Sequence, residues 1–226
     1  WNIIGTVGPI LYEKSSFALR QEKYIAKARV IILRLTYTSR NDQPAFDHNN
    51  FDPTARYRKE LEKIHESVFR NNIISKICSN TANNTLLLVD HINHGQLLYN
   101  KLSTVLTDKQ VYFIRGEVEI EERERIRALM EERSDIICIA ISKIFSTGVN
   151  IKNLHYIMFC SGGKAKVKIV QSIGRGLRTH KSKTILTIID IADQLYYGKL
   201  HMNKRVLLYE QENFSYEYQT IEEKTT

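Results

Sequence analysis

The residues best equipped for chemistry lie in the stretch QSIGRGLRTH, residues 171 to 180, where Arg175 and Arg178 stand three positions apart. On a helix turning about 100° per residue, Gln171, Gly174, Arg175 and Arg178 share one face, while Val170, Ile173 and Leu177 fall on another. Two guanidinium groups side by side repel each other unless an anion stands between or before them, and their planar forks match phosphate oxygens. Gly174 lets a ligand or a neighbouring backbone come close to that face. The same pair is also compatible with a solvated basic face that binds nothing.

Two further stretches are suited to anions. FSTGVNI, residues 145 to 151, follows an apolar run and offers Ser146, Thr147 and Gly148 in a loop whose backbone N–H groups could cradle phosphate, or simply make a turn. SGGKAKVK, residues 161 to 168, sets glycines and Lys164, Lys166 and Lys168 before a helical pattern. Its spacing is not that of a G-x-x-x-x-G-K-[ST] phosphate loop, and no D-E-x-[DH] strand end for Mg²⁺ occurs in the sequence. His91 and His94 follow a strand without the carboxylate or cysteine partners of a metal site, and read as hydrogen-bonded loop residues.

Positioning these residues requires a sheet. Apolar, β-branched runs at 28–35, 85–90, 111–115, 135–142, 154–160 and 183–191 read as strands, and their continuity suits a sheet covered on both faces. Helical patterns at 93–106, 119–133 and 164–178 separate successive strands, the order expected of a parallel α/β sheet. Ligands bind such sheets at the carboxyl ends of the strands, so the loops after Asp90, Arg115, Ser142 and Cys160 are the candidate sites. Residues 38–53 read as an exposed loop, and about 54–79 as one long charged helix over an edge of the sheet. From Gly198 onward the chain reads as a segment that completes the core, a strand and a frayed acidic tail.

The totals bound the partners. With 226 residues, 42% of them hydrophobic, the chain can bury one substantial core. Three cysteines, Cys78, Cys138 and Cys160, form neither a disulfide framework nor a zinc pattern. A net charge of +8 suits a polyanionic partner. No run approaches the roughly 18 apolar residues of a membrane span, and the opening lacks the sections of a signal peptide, so the cell interior is expected. The chain opens at Trp1 with an apolar stretch, which reads as a piece of something longer.

Together these stretches resemble motifs of superfamily 2 helicases. QSIGRGLR fits the Q-x-x-G-R-x-x-R form of motif VI, STGVNI looks like motif V, LLLVDHINHGQLLYNKL looks like motif IV, and VYFIRGEVEIEERERI looks like the following strand with its glycine and arginine, Gly116 and Arg123. Within that superfamily the likeness is to phage recombination helicases. It implies the second RecA-like motor domain, a P-loop NTPase-type α/β fold without its own P-loop, with a parallel central sheet and helices on both faces. The implied limits are 1–36 for the crossover and first strand, 37–80 for a loop and long helix, 81–197 for the core and 198–226 for an extension.

The resemblance makes Arg175 and Arg178 arginine fingers, aligned by Gln171, for ATP and Mg²⁺ held mainly on an N-terminal RecA-like domain of the same protein. It places Gly148, Asn150 and Gly174 near the nucleotide, and His91, Asn93, Gly116, Ser146, Thr147 and Lys164 on the nucleic-acid backbone. Asn150 departs from the family, where an acidic residue is common. The implied partners are branched or single-stranded DNA and RNA–DNA hybrids met in recombination and replication, with no membrane, in the host cytoplasm if a phage encodes the protein. By itself the chain is expected not to hydrolyse ATP. A double-strand translocase, a restriction-type motor and a non-catalytic nucleic-acid-binding domain share parts of this pattern.

Overall fold

A computed structural model describes residues 27–38, 52–116, 118–145, 151–161 and 185–224. Seven strands form one sheet: β1 (Lys27–Thr36), β2 (Thr85–Val89), β3 (Gln110–Ile114), β4 (Ile136–Ile141), β5 (Tyr156–Phe159), β6 (Ile185–Asp193) and β7 (Ser215–Glu222). The described helices are α1 (Pro53–Glu66), α2 (Val68–Asn80), α3 (Ile92–Val105), α4 (Ile120–Glu132), the single-turn α5 (Ser142–Phe145) and α6 (Tyr196–Gln211). The strand order is β3-β4-β2-β5-β6-β1-β7, and every pairing is parallel. Each of the six apolar runs is thus a strand, within a residue or two of its expected limits.

The runs are continuous because the sheet is covered twice. All five residues of β2 are buried. On one face Ile126 and Met130 of α4 and Met202, Leu208 and Tyr209 of α6 pack on Val30, Ile32, Leu86, Leu88 and Ile188. On the other, Ile64 of α1, Ile74 and Cys78 of α2, and Leu98 and Leu102 of α3 pack on Leu33, Leu35, Leu87, Val89, Ile189 and Ile191. The three cysteines are buried, and none of them forms a disulfide.

The expected single helix at 54–79 is two helices. Ser67, at φ −57° and ψ 114°, leaves helical geometry, and its Oγ accepts the Arg70 N–H at 3.2 Å to cap α2. The pair also lies on a face of the sheet and not over an edge, because Ile64 and Ile74 join the cluster formed by central strands. A serine between two charged, helix-favouring stretches is a strong cap and a weak interior residue, and the cap prevails.

The segment after Gly198 completes the core. Met202, Leu208, Tyr209 and Phe214 are buried, and β7 pairs with β1 to end the sheet. β1 and β7, drawn from the two ends of the described chain, belong to the same sheet as the strands between residues 81 and 197.

Candidate functional site

In an all-parallel sheet every strand ends on the same edge. Along it lie Asp90 and His91 after β2, Arg115 and Gly116 after β3, Ser142 after β4, Cys160 and Ser161 after β5, Asp193 at the end of β6 and Tyr37 after β1. The fold therefore brings His91, Asn93 and Gly116 to one edge, all exposed. β4 stands between β2 and β3, so the two loops are about 10 Å apart from strand spacing alone.

His91 is the N-cap of α3, but its side chain makes no capping hydrogen bond, and the first turn of the helix carries no acid. That turn's N–H groups and the positive end of the helix face the edge. Gly95, one turn on, is held by packing: a Cβ there would meet Phe113 Cζ at 2.5 Å. At Gly116 a Cβ would meet nothing within 4 Å among the described residues, so no contact with them demands glycine. Its carbonyl accepts from Arg123 Nη2 at 2.8 Å, and the Val118 carbonyl accepts from Arg123 Nε at 2.8 Å, so Arg123 braces the loop.

Beneath the edge lies a charged network that sequence reasoning did not single out. Arg70 of α2, fully buried, donates through Nε to Asp193 Oδ1 at 2.9 Å and through Nη2 to the Cys160 carbonyl at 2.7 Å. Tyr37 donates to the same Asp193 oxygen at 2.6 Å. Burial alone would discourage the charge on Arg70, but Asp193, Tyr37 and Cys160 together outweigh it and the pKa is raised. The network ties together the ends of β1, β5 and β6. A second pair, Arg205 Nε to Asp190 Oδ2 at 2.7 Å, is joined by Tyr209. Glu60 caps α6, accepting from the Tyr197 and Gly198 N–H groups at 3.1 and 2.8 Å. The available signal was the pair of aspartates inside an apolar strand run, since a buried carboxylate requires a partner.

A groove of about 650 Å³ opens between α1 and the amino end of α3. On it His65 stacks against His94, with ring centroids 4.4 Å apart, and tilts toward His91 at 5.0 Å. His94 is not a loop residue as expected but lies buried in the first turn of α3, with Nε2 3.4 Å from Asn71 Oδ1.

Gln171, Gly174, Arg175, Arg178, Ser146, Thr147, Gly148, Asn150 and Lys164 lie outside the described residues. Their types, cations, amides and hydroxyls, suit phosphate oxygens better than Mg²⁺. Among the described residues no group of three or more His, Cys, Asp or Glu could hold a metal ion, and no helix is long and apolar enough to cross a membrane.

A seven-stranded parallel sheet with helices on both faces and candidate contacts along its carboxyl edge is the RecA-like fold of helicase motor domains. The chain belongs to the helicase conserved C-terminal domain family, whose model matches residues 68–180. It is 33% identical over 184 residues to the ATP-dependent DNA helicase uvsW of Enterobacteria phage T4, across 73% of this chain and 36% of that protein. The crystal structure of T4 UvsW superposes with a TM-score of 0.67 at 30% identity, over 87% of this chain and 42% of that one. An ATP-dependent Type ISP restriction-modification enzyme, LlaBIII bound to DNA, shares the fold alone, with a TM-score of 0.62 at 13% identity over 98% of this chain and 17% of that one. The chain spans about a third of the length of the curated relatives it matches.

Proposed function

We propose that the chain is the second motor half of an ATP-dependent DNA helicase that remodels branched DNA and RNA–DNA hybrids in recombination and replication. The observation that carries this reading is the family match over residues 68–180, which contains every motif quoted above, with 33% identity to a phage ATP-dependent DNA helicase beside it. ATP with Mg²⁺, held mainly on an N-terminal RecA-like domain, supplies the phosphoryl group whose transfer drives such motors.

This chain's share is charge and grip. Arg175 and Arg178 lend positive charge to the phosphates across the cleft, and Gln171 orients them through its amide. A finger of this kind is worth about 10³ to 10⁵ in rate. Gly148, Asn150 and Gly174 line the same cleft, with Asn150 hydrogen-bonding where relatives place a charge. His91, Asn93 and Gly116, with Ser146, Thr147 and Lys164, hold the nucleic-acid backbone by hydrogen bonds and charge, so sequence preference is slight. The location of His91, Asn93 and Gly116 on one exposed edge supports this assignment. The protein works in the host cytoplasm when a phage encodes it.

The test is DNA-stimulated ATP hydrolysis by the chain alone and with the N-terminal motor half added, comparing wild type with Arg178→Ala. Turnover only in the combined sample, reduced at least a hundredfold by Arg178→Ala, is expected. Turnover that survives the substitution would overturn the finger assignment.

A further inference from the structure

The groove between α1 and α3 holds groups that backbone contacts at its rim leave unused. His94 is 2% exposed and lines the groove; among the described residues its Nδ1 has no hydrogen-bond partner, nor has His65 Nε2. Above them the uncapped first turn of α3 presents N–H groups beside exposed His91 and Asn93. Because His94 Nε2 faces the Asn71 oxygen, Nδ1 of the neutral ring is an acceptor and turns donor only on protonation. The groove thus offers an anion the α3 N–H groups at its rim and, once a proton is taken up, ring N–H groups below them. The fixed charges on the groove oppose an anion: one arginine, Arg58, stands against Glu62, Glu66 and Asp90. Arg58 lies 3.9 Å from Glu62, and behind the stack Arg70 is paired with Asp193, so neither arginine is a spare cation. The balance turns positive only if the histidines take up protons.

We propose that this groove seats a backbone phosphate of the bound nucleic acid and that the stack of His65, His91 and His94 takes up a proton as the phosphate enters. The inference rests on the nucleic-acid reading of His91 and Asn93 and adds His65, from a helix outside the helicase motifs. The phosphate supplies the counter-charge that the rings lack, and His65 acts by charge from the wall of the groove. Without a phosphate, burial draws the His65 pKa from 6.5 down to about 4, and Arg70 and His91 add to the shift against the opposing pull of Asp193 and Asp90. Burial likewise lowers His94, with Arg70, His65 and His91 adding to it.

The experiment is fluorescence anisotropy of a rhodamine-labelled single-stranded oligodeoxynucleotide with the full chain, from pH 8 to pH 5 at constant ionic strength. Wild type should bind more tightly as the pH falls, by a factor approaching about 10 per pH unit where one proton is taken up. His65→Gln should flatten that slope, whereas His155→Gln, at the start of β5 on the opposite edge, should keep it. NMR titration of the wild-type imidazoles, which needs no variant to fold, should show the His65 pKa rising when the oligonucleotide is added. A wild-type slope in His65→Gln, or a His65 pKa unmoved by the oligonucleotide, would overturn the proton-linked seat. If His91→Ala and Asn93→Ala also leave affinity at pH 8 unchanged, the nucleic-acid reading of the rim falls with it. If they weaken binding while the His65 results are negative, the rim stands and only the seat is lost.

Discussion

Asn84 ties three parts of the amino edge with one amide. Its Nδ2 reaches the carbonyls of Met130, Arg133 and Asn153 at 2.6, 2.5 and 3.0 Å, and its Oδ1 accepts the Ile136 N–H at 3.0 Å. It therefore joins the end of α4 to the start of β4 and to the loop before β5, from a fully buried position. Asn84→Asp keeps the shape and turns the donor into a carboxylate facing three carbonyls. Urea unfolding should show a loss of about 3 kcal/mol or more, larger than that of Asn84→Ala, which removes the amide's hydrogen bonds without adding a buried charge. The opposite ranking would mean that the amide's donor side contributes little.

At the scale of elements, the break at Ser67 lets α1 and α2 lie on the sheet at separate angles. It sends Arg70 from the first turn of α2 down to Asp193 and leaves His65 at the end of α1 to stack on α3. A continuous helix would lose one contact or the other. Ser67→Ala removes the capping oxygen and should lower stability by about 1 kcal/mol in urea unfolding. It should also weaken protection of the α2 amides against hydrogen exchange before that of the β2 amides. At the other end of α2, Lys109 donates to the carbonyls of Cys78, Ser79 and Thr81, placing a cation at the negative end of the helix.

For the whole molecule, acid acts on stability through His65 and His94. Above about pH 6.5 the folded and unfolded chains both hold the His65 imidazole neutral, and stability has its full value. Its folded pKa is depressed from 6.5 to about 4, so as the pH falls through that window the unfolded chain binds a proton that the folded chain refuses. Stability then falls, by about 2 kcal/mol at pH 5 from this residue. His94, lowered in the same direction, adds to the loss. The melting temperature should drop between pH 7 and pH 5 by several degrees more in wild type than in His65→Gln. Equal drops would place the acid sensitivity elsewhere.

The sequence by itself was enough for the parallel sheet and for the motifs. Continuous apolar runs such as those of β2 and β4 suit a sheet covered on both faces, and the motifs are read from short stretches of sequence. Family membership was likewise legible, because the motif residues cluster in short stretches. Tertiary structure decided what depends on contacts between distant residues. Arg70 meets Asp193 across 123 positions, and His65 meets His94 across 29, so no local pattern announces either contact. The break at Ser67 was decided there as well. A serine is open to capping or to a helix interior, and Ser67 caps α2 where Ile64 and Ile74 both reach the sheet face.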